Sequence, residues 1–172
     1  MAELTVQERL QPSLLDRLTD DDPGQTQESR EQRVLSPNRL RECVLRDLAW
    51  LFNANCPLNA EEAARYPRVA DSVLNYGIPP LAGLTFRVLD LHILENALRE
   101  SILNFEPRIL RGSLRVRSTH TTNAQMSHNL LGFEIEGDLW AQPLPLQLYL
   151  KTEIDLESGQ VKIKESRGER ER

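Results

Sequence analysis

Aromatic side chains are scarce in this chain, at 5% of its 172 residues. Clefts that bind sugars usually stack them on aromatic faces, so a carbohydrate enzyme is poorly provided for. Histidine is as thin: His92, His120 and His128 are the three. No Cys/His spacing resembles a zinc site, and His120 with His128 across one polar turn would supply only two ligands. There is no Gly-rich phosphate loop and no nucleophile elbow. No metal and no cofactor are expected. Cysteine occurs twice, as Cys43 and Cys56. With no export signal in view, both are expected as reduced thiols, at least one packed in the core. Nothing approaches about 18 consecutive apolar residues, so no transmembrane helix and no direct membrane insertion are expected. The opening Met-Ala-Glu-Leu-Thr has no basic region followed by an apolar run, so no secretory signal is expected either. Positive charge is not in excess: the net charge of -5 argues against a general nucleic-acid binder. A cytoplasmic protein is the expectation.

What remains is an apolar fraction of 40%, enough for one core. Residues 1–36 read as a polar N-terminal segment with one apolar island, Leu14-Leu15-Asp16-Arg17-Leu18. Its leucines share a helical face. So short a helix is not stable alone and must lie on something. Two readings stand: it packs on its own domain, or it docks as a short motif in a partner's groove.

Residues 37–164 read as a single α+β domain, and 165–172 as a charged tail. Ser36-Pro37 is a helix start. Leu40, Val44, Leu48, Leu51 and Phe52 then recur at helical spacing, predicting a helix over 37–54. Short helices are expected over 58–66 and from Pro67 to Leu74, closed by Gly77. Pro79-Pro80 and Gly83 shape the following loop. A second long helix is expected from near Val88, with Leu91, Leu94, Leu98, Ile102 and Phe105 buried and Pro107 ending it.

From residue 113 the period becomes two. Leu114 and Val116 alternate with polar neighbours. Leu131, Phe133, Ile135 and Leu139 share one parity. The alternation is clearest from Leu144 to Leu156, and Glu157-Ser158-Gly159 turns it into a last strand with Val161 and Ile163. N-terminal helices packed on a C-terminal antiparallel sheet of about four strands follow from this order.

Carboxylates are the one class of catalytic candidate. A glycosidase needs a protonated carboxyl and an ionised one across a sugar cleft. Glu106 ends an apolar helix, but Arg108 stands two residues on, and a nearby cation disfavours the protonated form. Glu106-Pro107-Arg108-Ile109 therefore reads as an ion pair held by proline at a helix-to-strand corner, available to a partner. Loss of Glu106 or Arg108 is expected to leave the protein folded and to show in assembly. Arg111, Arg115 and Arg117 make the following stretch locally basic.

Three segments in order, Leu14-Leu15-Asp16-Arg17-Leu18, Ser72 to Pro79 with Leu81-Ala82-Gly83, and Phe105-Glu106-Pro107-Arg108-Ile109, resemble the TssE-type wedge subunits of type VI secretion baseplates. That family is similar to the phage baseplate wedge proteins once labelled lysozyme-like, and the resemblance spans roughly residues 10 to 164. It implies a structural subunit, not an enzyme. It implies contacts with other wedge subunits of the TssF, TssG and TssK types and with contractile sheath subunits. The Leu14–Leu18 and Glu106–Ile109 segments would be the contacts, and the C-terminal strands would pair with the sheath. The old label implies an alternative, a cell-wall hydrolase using Glu106.

Overall fold

The computed structural model describes residues 13–19, 24, 36–82, 90–119, 130–141 and 145–165. Helix α1, Leu14–Leu18, comes first, its N-terminus capped by the Ser13 hydroxyl. Helix α2, Pro37–Phe52, starts where Ser36 accepts from the backbone of Arg39 and proline takes the first helical position. It ends at Phe52 rather than 54, because Asn53 turns the chain and donates its side-chain amide back to Ala49 O at 2.8 Å. Two short helices follow, α3 (Ala60–Arg65) and α4 (Pro67–Ala70), then a single 3-10 turn over Val73–Asn75. Asn59 and Glu62 form a reciprocal capping box on α3.

Helix α5 runs from Leu91 to Phe105. Asp90 precedes the helix as its cap, accepting from the backbone of His92 and Ile93, so the helix opens later than the expected Val88. The stretch 83–89, with Gly83 and Val88, lies outside the described residues, as do His120, His128 and Leu144.

Four strands follow: β1 (Arg115–Thr119), β2 (Leu130–Leu139), β3 (Leu146–Asp155) and β4 (Val161–Glu165). They form one antiparallel sheet in the order β1-β2-β3-β4. The expected parity holds. Leu131, Phe133, Ile135 and Leu139 of β2 and Leu148, Leu150, Thr152 and Ile154 of β3 are all buried. A one-residue slip would turn either strand's apolar set outward, so burial fixes the register. The β3–β4 hairpin turns through Gly159 at φ +71.

The α2 stripe and Leu94, Leu98 and Ile102 of α5 meet this face in one core. Helix α5 lies against β1 and α2 against β4. Each helix also binds a sheet edge. Glu95 of α5 accepts from Ser118 N at 2.6 Å. Asn53 accepts from Val161 N and donates to Val161 O, both at 3.0 Å. Side chains thus satisfy the outward backbone groups where each edge meets its helix. Cys43 is buried and Cys56 half-buried, and both are free. Among the described residues, no helix is long and apolar enough to cross a membrane.

Candidate functional site: a buried ion-pair corner and the helix tied to it

Helix α5 ends at Glu106, whose backbone N–H still bonds Ile102 O at 2.8 Å. Pro107 then turns the chain. Arg108 O accepts from Trp140 N at 2.7 Å, and Leu110 N donates to Asp138 O at 2.8 Å. Ile109 pairs with Leu139 across this bridge. The corner is therefore stitched to the end of β2, and its side chains have little freedom.

Glu106 is 3% exposed. Burying a carboxylate is costly unless it is paired and hydrogen-bonded. Here Arg108 meets it with a fork: Nε donates to Oε1 at 2.6 Å and Nη2 to Oε2 at 2.5 Å. The Arg108 backbone N–H adds a bond to Oε1 at 3.1 Å. The expected ion pair is present, and it is bidentate, the geometry that gives arginine its directional strength.

The pair has a third member that sequence reasoning missed. Asp47 of α2 accepts from Arg108 Nη2 at 2.5 Å, across 61 residues of chain. Its other oxygen accepts from Arg46 Nε at 2.9 Å. Arg46 reaches further, donating from Nη1 to Asp16 of α1 at 2.6 Å. Its guanidinium also lies 5.1 Å from the Trp50 ring centroid. Partial burial works against the charge of Arg108, but Glu106 and Asp47 outweigh it and raise its pKa. Burial also works against the Asp16 carboxylate, yet Arg46, Ser13 and Cys43 prevail and hold it at about 2. Burial and then the charge of Asp16 push the Cys43 thiol up.

The second motif arrives at the same place. Tyr76 packs edge-on to Phe105, ring centroids 5.2 Å apart. Burial first, then the charges of Asp47 and Glu106, push its phenol up. Gly77 follows at φ +129, where Ala54 backbone leaves no room for a side chain. The first and third of the segments singled out for their resemblance thus meet residues 46 and 47 of α2, and Tyr76 of the second packs on Phe105 beside them.

Their exposure differs. Glu106 and Ile109 are buried, so the corner shows only Pro107 and part of Arg108 to its surroundings. Helix α1 is the reverse. Leu14 and Leu18 are 73% and 75% exposed, and Leu15 is exposed too, while Asp16 faces inward to Arg46. The Arg17 side chain lies outside the described residues. Arg111, Arg115 and Arg117 are exposed, and Arg111 also donates to Leu103 O at 3.2 Å.

As chemistry, the site is ionic and closed. Both oxygens of Glu106 are taken by Arg108, which leaves no oxygen facing a cleft. Among the described residues, no group of three or more His, Cys, Asp or Glu is placed to hold a metal ion. No curated protein and no solved structure matches the chain. The model of one family, described as baseplate wedge protein gp25, matches residues 38–144. That span takes in α2 from its second residue, the Tyr76–Gly77 turn, the Glu106–Arg108 corner and strands β1 and β2, and the chain belongs to this family of structural baseplate proteins.

Proposed function

We propose that this chain is a TssE-type wedge subunit of a type VI secretion baseplate, acting in the cytoplasm. It joins wedge subunits of the TssF, TssG and TssK types and offers a starting surface to the contractile sheath. The observation that carries the reading is α1. A five-residue helix is unstable in water, yet this one is fixed through its polar residue while its leucines face away from the domain. A helix held that way round presents its apolar side to another molecule.

The sheet supports the sheath half of the reading. Edge strand β4 is tied to α2 at both ends, by Asn53 at Val161 and by the Arg41 guanidinium at the Glu165 side chain. The backbone between them, Lys162 to Lys164, suits pairing with a partner strand. The hydrolase alternative gains nothing from the geometry, because Glu106 is buried and doubly bonded to Arg108.

The test is affinity capture from native cytosol, read by mass spectrometry, for the wild type and for Leu14→Asp/Leu18→Asp. Both leucines are exposed, so the double variant should melt within about 2 °C of wild type, as surface changes do. Wild type is expected to retain wedge and sheath proteins, and the variant to lose at least one wedge partner. Capture of no baseplate protein by wild type, or release of peptidoglycan fragments by the pure chain, would overturn the proposal.

A further inference from the structure

Glu106, Arg108, Asp47, Arg46 and Asp16 form one unbroken line of alternating charges, each linked to the next at 2.9 Å or less. It runs from the buried corner, across α2, to α1. Among the described residues, α1 is tied to the rest of the domain through Asp16, which meets Arg46 and the Cys43 thiol. No leucine of α1 is buried to anchor it. Asp47 sits at the middle: one carboxylate oxygen holds Arg108 and the other holds Arg46. A carboxylate shared by two guanidiniums fixes the angle between them, so a shift at either end is passed to the other.

We propose that Asp47 and Arg46 are positioning residues that join the Glu106–Arg108 corner to α1, so that the two segments offered to partners act as one preset unit. The proposal rests on reading α1 and the corner as partner-facing, but the coupling itself lies within the isolated chain. Asp47 touches no partner in this scheme. It sets where Arg46 stands, and Arg46 sets where α1 stands. Cys43 supplies the readout. Its thiol is buried, 3% exposed, and lies against Asp16. In this scheme, departure of α1 from α2 uncovers that thiol.

Cys43 therefore reports the position of α1 without any partner present. The measurement is the iodoacetamide alkylation rate of the pure full chain in a Cys56→Ser background, paired with amide exchange of residues 14–18. Arg46→Met cuts the last link and sets the scale. Asp47→Asn is expected to raise both rates about tenfold, as coupling within one ion-pair network allows. Exchange in α5 and β3 should change far less, which a general loss of stability would not spare. Asp47→Glu keeps the charge and should bring α1 back most of the way. If Asp47→Asn does not fold, Glu106→Asp, which shortens the far end of the line, should raise both rates about threefold.

Wild-type rates in Asp47→Asn, or in Glu106→Asp, overturn the proposal. So does an Asp47→Asn increase spread evenly over α1, α5 and β3. Because no partner enters the measurement, failed capture of baseplate proteins would leave this result standing, and the converse also holds.

Discussion

Replacing Glu106 with Gln is the most direct probe of the corner. The side chain keeps its size, loses its charge and retains one good acceptor. Glu106 is 3% exposed and Arg108 is 23% exposed at its side chain. Removing one partner of a buried pair costs about 3–5 kcal/mol, chiefly because the remaining charge is stranded. Arg108 is partly solvated and keeps Asp47, so the cost falls below that range, at about 2–3 kcal/mol. For a chain of this length each kcal/mol moves the melting temperature about 2–4 °C, giving a fall of about 4–12 °C. Urea unfolding followed by circular dichroism measures the same loss as a midpoint shift of about 1–2 M. Glu106→Gln/Arg108→Met removes the stranded charge, so it should be less destabilised than the two single variants added together, by at least about 1 kcal/mol. A Glu106→Gln protein within about 0.5 kcal/mol of wild type, or a strictly additive double variant, would refute the argument. The expectation that loss of Glu106 leaves a folded protein gains a condition: its burial makes stability the first thing to change, and any binding assay on such variants needs a folding control.

Two other outcomes follow from the same geometry. Asp16 titrates at about 2 in the folded protein against an ordinary 3.8. A depressed carboxylate stabilises the fold above its unfolded pKa, and that contribution is lost as pH falls through the folded one. Because Arg46 is a third exposed, the contribution is about 1 kcal/mol. The gap in stability between wild type and Asp16→Asn should be full at pH 6 and shrink between pH 4 and pH 2; a gap independent of pH refutes it. Gly77→Ala places a Cβ 2.4 Å from Ala54 O at a φ that L-residues avoid, and should cost at least about 2 kcal/mol. Thermal melting within 2 °C of wild type would show that the turn relaxes freely.

The helices and strands were legible because burial here is one-sided. Leu40, Val44 and Leu48 recur at helical spacing, and Leu148, Leu150 and Ile154 alternate, so period alone separates the two classes. The Glu106–Arg108 pair was legible as well, since proline between two opposite charges leaves them little choice. Asp47 was not. In sequence it is one more polar residue off the α2 stripe, and its link to Arg108 spans 61 residues. Only the packing of α2 beside the end of α5 brings them together. The outward turn of Leu14 and Leu18 was equally out of reach, because an amphipathic pattern fixes which residues share a face and not what that face meets.

The ion network is a poor device for stability alone. Buried charge pairs are often matched or surpassed by well-packed apolar residues of similar size. Three carboxylates and two guanidiniums in one line also leave an excess negative charge that an apolar core would avoid. What charges provide and apolar contacts do not is direction: Arg108 accepts only a narrow set of angles to Glu106 and Asp47, and Arg46 does the same for Asp47 and Asp16. Proline at 107 fixes the first of these angles and α2 fixes the rest. The physical reading that accounts for cost and geometry together is that the network holds a five-residue helix in one orientation, leucines outward, when that helix could not hold itself.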